Sequence, residues 1–191
     1  MLLSHSPSIT SALALAASLG LAAGCSDSGQ DCGTRGAPVS GLVTAGTGAT
    51  LTFGNMSASP NNDCPVDGAP SGVISLTITG TQTDGQGLIT LCVGRPDRLA
   101  TGTQAMGTTA GPGQVALIDL AGSSNGCTLA FDTTAQPTGT VTVTGMCNNG
   151  ENASGFSLVL DGALTMIRTC GQTVDTLAVT LTGRVAVAGP H

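Results

Sequence analysis

The sequence contains no lysine, tryptophan or tyrosine, and its only aromatic residues are Phe53, Phe131 and Phe156. Histidine occurs only at the two ends of the 191-residue chain, as His5 and His191. The interior of the chain therefore excludes triads that need histidine, Schiff-base chemistry on lysine, tyrosine as an acid or base, and histidine-ligated metal sites.

Charge is also scarce. Charged residues make up 8% of the chain, whereas about 25% is typical of globular domains. All five basic residues are arginines and the net charge is −6. Because there is no basic stripe and no aromatic platform, we expect no nucleic-acid binding and no direct electrostatic attachment to anionic lipid. The shortage of aromatic residues also argues against a membrane-spanning barrel, which carries aromatic girdles.

An uncharged apolar run, ITSALALAASLGLAA, occupies residues 9–23. It is shorter than the roughly 20 residues of a spanning helix and has the length of the apolar part of a signal peptide. The run leads into Leu21-Ala22-Ala23-Gly24-Cys25, which resembles the lipobox of bacterial lipoproteins. The resemblance implies that the Cys25 thiol receives a diacylglycerol and that Ser26, in place of Asp, favours the outer membrane. Ordinary signal cleavage and an uncleaved anchor are the alternatives.

The chain divides into a signal peptide of residues 1–24, a polar glycine-rich tether of residues 25–38, and a single β-domain of residues 39–191. Apolar residues in the domain recur at every second position, which is the period of a β-strand. Two stripes predict a long antiparallel hairpin that turns at residues 170–172: Phe156, Leu158, Leu160, Leu164 and Met166, then Leu177, Val179, Leu181, Val185 and Val187. Gly162 and Gly183 interrupt these stripes and predict bends or bulges.

Strands at short intervals predict an all-β fold, either an antiparallel β-sandwich or a small barrel of about eight strands. Of the two architectures, we favour a sandwich of two sheets.

Residues 55–70 and 95–113 are predicted loops, the second with one helical turn beginning at Pro96.

Apart from Cys25, six cysteines remain, an even number that suits a disulfide framework in an oxidising compartment. The candidates for disulfide bonding are Cys32, Cys64, Cys92, Cys127, Cys147 and Cys170. Of the 15 possible pairings, we favour Cys147 with Cys170 and Cys32 with Cys64. Successive members of these six lie 20 or more residues apart, which argues against zinc, because its ligands usually come in close pairs.

Carboxylates are the remaining side chains that could support catalysis, since paired carboxylates hydrolyse glycosides. The candidates lie on or beside predicted strands: Asp119, Asp132, Asp161 and Asp175. We expect these side chains to face solvent or to begin turns. Asp119 is the exception: because it shares the parity of Leu117, it is expected to point inward or to lie at a strand end. The sequence therefore predicts no catalytic residue, cofactor or metal.

Two further polar segments have competing interpretations. Asn and Asp cluster in residues 61–67 and 148–152, where they could bind calcium, but they lack the EF-hand spacing and also suit turns. Arg95-Pro96-Asp97-Arg98 is the most distinctive polar tetrad of the chain. Arg95, Asp97 and Arg98 could bind an anion or a partner, or form a local ion pair that braces the loop.

These observations predict an envelope lipoprotein without catalytic activity, held on the membrane through its N-terminal lipid. Its β-domain would have a binding or structural role, with an unidentified envelope protein or small molecule as partner. The alternative is a carrier whose strands enclose a small apolar ligand. A carboxylate hydrolase is the third hypothesis.

Overall fold

The computed structural model describes residues 39–47, 49–61, 64, 75–148 and 154–188. This part of the chain contains ten β-strands and one 3-10 turn, Pro96–Arg98. The strands are β1 Val39–Thr47, β2 Ala49–Asn61, β3 Ser75–Gln82, β4 Leu88–Gly94, β5 Gly102–Ala105, β6 Val115–Ser124, β7 Cys127–Phe131, β8 Thr138–Asn148, β9 Ser154–Cys170 and β10 Thr173–Val187. None of the described residues forms a helix that is long and apolar enough to cross a membrane.

The strands form a closed antiparallel barrel. Eight of them follow one another in the order β10-β1-β2-β3-β4-β6-β7-β9, and pairing of β9 with β10 closes the ring. The closing pair is the hairpin that the two apolar stripes predict, and its register runs from Cys170 opposite Thr173 to Phe156 opposite Val187. The all-β prediction is confirmed. The preference for a sandwich of two sheets is wrong, because the pairing of β9 with β10 closes the strands into a barrel.

Two strands widen one end of the barrel. β10 occupies one edge of β9, so β7 and β8 share the other edge, with β7 along residues 166–169 and β8 along residues 154–163. β5 pairs with the outer edge of β8. β5 in turn contacts β6. The side chain of Gln104, within β5, accepts a hydrogen bond from the Val115 amide, and the carbonyl of Gly107, just after β5, accepts one from the Leu117 amide. The β8–β5 pair thus replaces β7 at this end.

Alternating apolar side chains fill the barrel. The main cluster draws on every strand except β5, and two of the three phenylalanines, Phe53 and Phe156, are completely buried. Both C-terminal stripes belong to this cluster. Since burying a Val, Leu, Ile or Phe side chain contributes roughly 1.5–3 kcal/mol, this aliphatic interior compensates for the shortage of aromatic residues.

Two predicted loops contain strands. β2 continues through residues 55–61, because a bulge at Asn55 and Met56 lets the strand keep pairing with β3. Asn55 has a positive φ of 48°, and Met56 packs over Gly80 into the core. The extra residue shifts the alternation, which is why the pattern suggested that the strand ended there. In residues 95–113, the predicted helical turn is confirmed, but β5 was missed.

The glycines in the two stripes have a different role from the predicted one. The β9–β10 register is continuous through Gly162 and Gly183, without a bulge. Instead, a side chain at Gly162 would collide with the Thr138 carbonyl of β8, and one at Gly183 would collide with the Leu42 carbonyl of β1. These glycines allow neighbouring strands to approach closely around the curved wall.

Candidate functional site

The first disulfide, Cys64–Cys92, lies on the outer wall of the barrel. Its Cα atoms are 5.7 Å apart, within the usual range for disulfides. Cys92 points away from the interior that Leu91 and Val93 fill, and joins a small second cluster with Cys64, Ala110 and Ala116. The bond therefore pins the segment that contains Cys64 against β4.

The second disulfide, Cys127–Cys170, lies at one end of the barrel. β7 begins at Cys127 and β9 ends at Cys170, and Thr128 pairs with Thr169. The two cysteines are thus opposite each other, with Cα atoms 4.4 Å apart. The bond extends a ladder of only four residue pairs, as short as the neighbouring β6–β7 ladder, so it reinforces one of the two shortest contacts in the closed ring.

Both pairings predicted from the sequence are wrong, because Cys170 bonds to Cys127 and Cys64 bonds to Cys92. Cys147 lies opposite Gly155, near the start of β9, whereas Cys170 ends that strand. At about 3.4 Å per residue, the two positions are roughly 50 Å apart along β9. Cys25 and Cys32 lie outside the described residues, as does the side chain of Cys147.

The arginine-containing tetrad forms a compact turn at the wider end of the barrel. Arg95 adopts the left-handed conformation, with φ 49°, and its carbonyl accepts a hydrogen bond from the Arg98 amide at 2.8 Å. The Arg98 backbone packs against Gly113, whose amide donates to the Gly94 carbonyl. The backbone of this turn is therefore braced against residues 111–114. The side chain of Asp97 lies outside the described residues, so the ion pair stays a prediction.

The four candidate carboxylates lie at separate places. Asp161 is exposed on the outer wall between Thr140 and Thr182, and Asp119 lies opposite Thr90. Asp132 accepts hydrogen bonds from the amide and hydroxyl of Thr134, which lower its pKa. No register pair of the described strands joins two of these carboxylates.

Asp119 faces solvent, which corrects the prediction based on its parity with Leu117. The β4–β6 register shifts at this point, since Thr90 pairs with Asp119 but Leu91 pairs with Leu117. Ile118 is the extra residue of this bulge. Leu117 and Leu120 both remain in the core, so the two residues between them lie outside it.

Asp175 forms an ion pair with Arg168 that was not predicted from the sequence. Arg168 Nε donates to Asp175 Oδ1 at 2.9 Å, and Arg168 Nη2 contacts Asp175 Oδ2. This hydrogen bonding is the main reason why the pKa of Asp175 is lowered and that of Arg168 is raised. The predicted turn at residues 170–172 could have revealed the pair, because a two-residue turn at Gly171 and Gln172 places positions 168 and 175 opposite each other.

A set of side-chain hydrogen bonds, also not predicted from the sequence, joins the β3–β4 hairpin to β6. The buried Gln82 side chain donates to the Ser123 carbonyl at 2.9 Å and accepts from the Ser123 amide at 3.1 Å. It also donates to Asp84 Oδ1 at 3.1 Å. No sequence pattern signals this contact, since it joins positions 41 residues apart.

Large apolar side chains on the exterior do not form a broad patch among the described residues. Leu42, Leu88, Ile167 and Val174 are the exposed ones. Ile167 and Val174 lie on the same face of the β9–β10 hairpin, where their strand partners are Thr176 and Thr169. Within the described part of the chain, no group of three or more His, Cys, Asp or Glu residues is placed to hold a metal ion.

Comparison of the chain with protein-family models, with curated proteins and with solved structures found no match. The function is therefore inferred from the residues themselves. The most informative of them are the cysteines: Cys25 in the segment that resembles a lipobox, four in observed disulfides, and Cys32 and Cys147.

Proposed function

We propose that the protein is a lipoprotein of the bacterial cell envelope, anchored through lipid on Cys25, whose barrel is a binding or structural module without catalytic activity. The observation that carries this proposal is the sequence Leu21-Ala22-Ala23-Gly24-Cys25 at the end of an apolar run, ahead of a disulfide-bonded β-domain.

Support for the compartment comes from the disulfides. Such bonds persist in oxidising environments such as the periplasm and the cell surface, and are rare in the cytosol. Support for the outer membrane comes from Ser26, through the resemblance to lipoproteins. The two or three acyl chains of a lipoprotein are enough for stable attachment, whereas a single chain binds only marginally.

The interior of the barrel favours a binding or structural role over the carrier hypothesis. A ligand cavity would leave its lining side chains accessible from within. Twelve large side chains of the described strands are instead less than 2% exposed. They come from both halves of the ring, as in Phe53, Ile89, Leu158 and Leu181, and they pack against one another in a single cluster.

The separation of the carboxylates weighs against the hydrolase hypothesis. Glycoside hydrolysis needs two carboxyl groups about 5–10 Å apart across the same bond. Asp175 is held by Arg168, Asp132 is held by Thr134, and Asp161 is flanked by threonines. Each of these carboxylates therefore has a local role or a solvent-facing position.

The anchor is tested by expressing the full chain in a Gram-negative host and separating its membranes. We expect the wild type in the outer membrane and Cys25→Ala in the soluble periplasmic fraction or as uncleaved precursor without acyl mass. Ser28→Ala is a matched control, because it changes the same segment and leaves the lipobox intact. Recovery of Cys25→Ala in the outer membrane, at the level of the control, would contradict the proposal.

The sorting signal is tested in the same experiment with Ser26→Asp. This variant keeps Cys25, so it is expected to carry the acyl mass but to remain in the inner membrane. If Ser26→Asp and the wild type both reach the outer membrane, Ser26 does not direct the protein there.

A further inference from the structure

The cysteines that remain after the two observed disulfides are Cys25, Cys32 and Cys147. Under the proposed function, on which this inference rests, Cys25 bears lipid and cannot form a disulfide. We propose that Cys32 and Cys147 form a third disulfide, which fastens the tether to the end of β8.

The register of the barrel brings the two positions within reach. Val39, the first residue of β1, pairs with Val187, which pairs with Phe156, which pairs with Met146 of β8. Neighbouring strands are about 4.8 Å apart, so Val39 and Met146 are separated by at most about 15 Å. Cys147 is the next residue of β8.

The tether is long enough for this distance. Cys32 precedes Val39 by seven residues, and a chain of that length spans up to about 25 Å. The pairing therefore requires no rearrangement of β1 or β8. The other possible partners in the chain are already paired, Cys64 with Cys92 and Cys127 with Cys170.

The bond forms by thiol–disulfide exchange with a protein disulfide oxidant of the envelope. The thiolate of one cysteine attacks the oxidant's disulfide and releases one of its thiolates, which gives a mixed disulfide. The thiolate of the second cysteine then attacks that bond. Cys32 and Cys147 together lose two electrons and two protons, and the oxidant leaves as a dithiol.

The disulfide would shorten the connection to the membrane. Without it, the chain from Cys25 to Val39 could extend about 50 Å, whereas from Cys25 to Cys32 it could extend only about 25 Å. The barrel end with Val39, Val187 and Phe156 would then face the lipid surface. The opposite end, with the turns at residues 83–87, 125–126 and 171–172, would point away from it.

The test is a count of alkylated thiols by mass, on full-length protein extracted from membranes and alkylated without reduction. We expect no alkylated cysteine in the wild type, and a peptide pair joined through Cys32 and Cys147 after proteolysis. Cys32→Ser should then give one alkylated thiol at Cys147, Cys147→Ser one at Cys32, and the double variant none. The wild-type measurement is decisive even if a variant fails to fold.

Alkylation of both Cys32 and Cys147 in the wild type would overturn the third disulfide, as would a link from either residue to any other cysteine. This outcome is distinct from failure of the proposed function, which the same spectrum reports as missing acyl mass on Cys25. A lipid-free chain in which Cys32 and Cys147 are joined would keep the disulfide and contradict the anchor.

Discussion

Thr77 is the residue whose environment is least expected from its chemistry. It lies opposite Cys92, which is disulfide-bonded to Cys64 on the outer wall, and is 8% exposed. Its hydroxyl is buried without a hydrogen-bond partner. A buried hydroxyl that makes no hydrogen bond costs about 1–3 kcal/mol. The hydroxyl of Thr77 therefore lowers stability at a position where the β-branched shape itself suits a strand.

We therefore predict that Thr77→Val raises the free energy of unfolding by about 1 kcal/mol, because valine keeps the shape and removes the unpaired hydroxyl. Denaturant unfolding of the purified protein measures the change. Thr79→Val, two residues along the same strand and less buried, is the control and should shift stability by no more than about 0.5 kcal/mol. A loss of more than about 1 kcal/mol in Thr77→Val would mean that the hydroxyl is hydrogen-bonded.

The environment of a residue could be predicted from the sequence where neighbouring residues determine it. It could not be predicted where a strand that is distant in sequence determines it. The turn chemistry expected for acidic residues is present at Asp132, whose partner Thr134 is two residues away. Asp119 was misplaced because its orientation depends on a bulge in the β4–β6 pair. A bulge forms between two strands, so the alternation within one strand does not locate it.

Among the elements, the junction of the β3–β4 hairpin with β6 depends on one side chain. Gln82 bonds both the amide and the carbonyl of Ser123, as a neighbouring strand would. The adjacent glycines Gly85, Gly87 and Gly122 leave the space that the amide group occupies, since a Cβ on any of them would meet it.

Gln82→Leu should lower the free energy of unfolding by about 2–3 kcal/mol, because it leaves the partly buried backbone amide and carbonyl of Ser123 unpaired. Chemical denaturation gives the value, and hydrogen exchange at the Ser123 amide should quicken. Gln86→Leu in the same hairpin is the matched control, as Gln86 is exposed, and should cost less than about 0.5 kcal/mol. Equal stability of the two variants would refute the role assigned to Gln82.

The C-terminal hairpin was predictable as an element because its signal is local. Two apolar stripes and a short turn define both strands and their register, so even the Arg168–Asp175 contact follows from them. β5 has four residues and none of the clustered aliphatics of the other strands. Its existence depends on the edge that β8 offers, which the sequence does not reveal.

For the molecule as a whole, the barrel replaces a large aromatic core with aliphatic packing and covalent links. The two disulfides of the described residues close chain segments with sequence separations of 28 and 43 residues. In the chain-entropy model, loops of this size give about 4 kcal/mol each. That is a large share of a domain stability that is usually about 5–15 kcal/mol.

We predict that Cys64→Ala with Cys92→Ala lowers the free energy of unfolding by about 3–5 kcal/mol. The expected loss combines a freer unfolded chain with the sulfur atoms removed from a buried cluster. Thermal and denaturant unfolding under non-reducing conditions measure it. A loss below about 1 kcal/mol would show that this bond is incidental to the fold.

The candidate site is known less completely than the fold for a physical reason. A disulfide pairing depends on which strands meet, so it became evident only from the barrel. The proposed lipid attachment rests on a short segment of the sequence outside the barrel. Leu21-Ala22-Ala23-Gly24-Cys25 supports that proposal only through its resemblance to a lipobox, and Cys25 lies outside the described residues.

The most direct test of the account is the intact mass of native protein extracted from membranes. The account predicts a chain that begins at Cys25 and carries the mass of a diacylglycerol, with or without a further acyl chain on its amine. A chain that begins elsewhere, or one that begins at Cys25 without lipid, would contradict it.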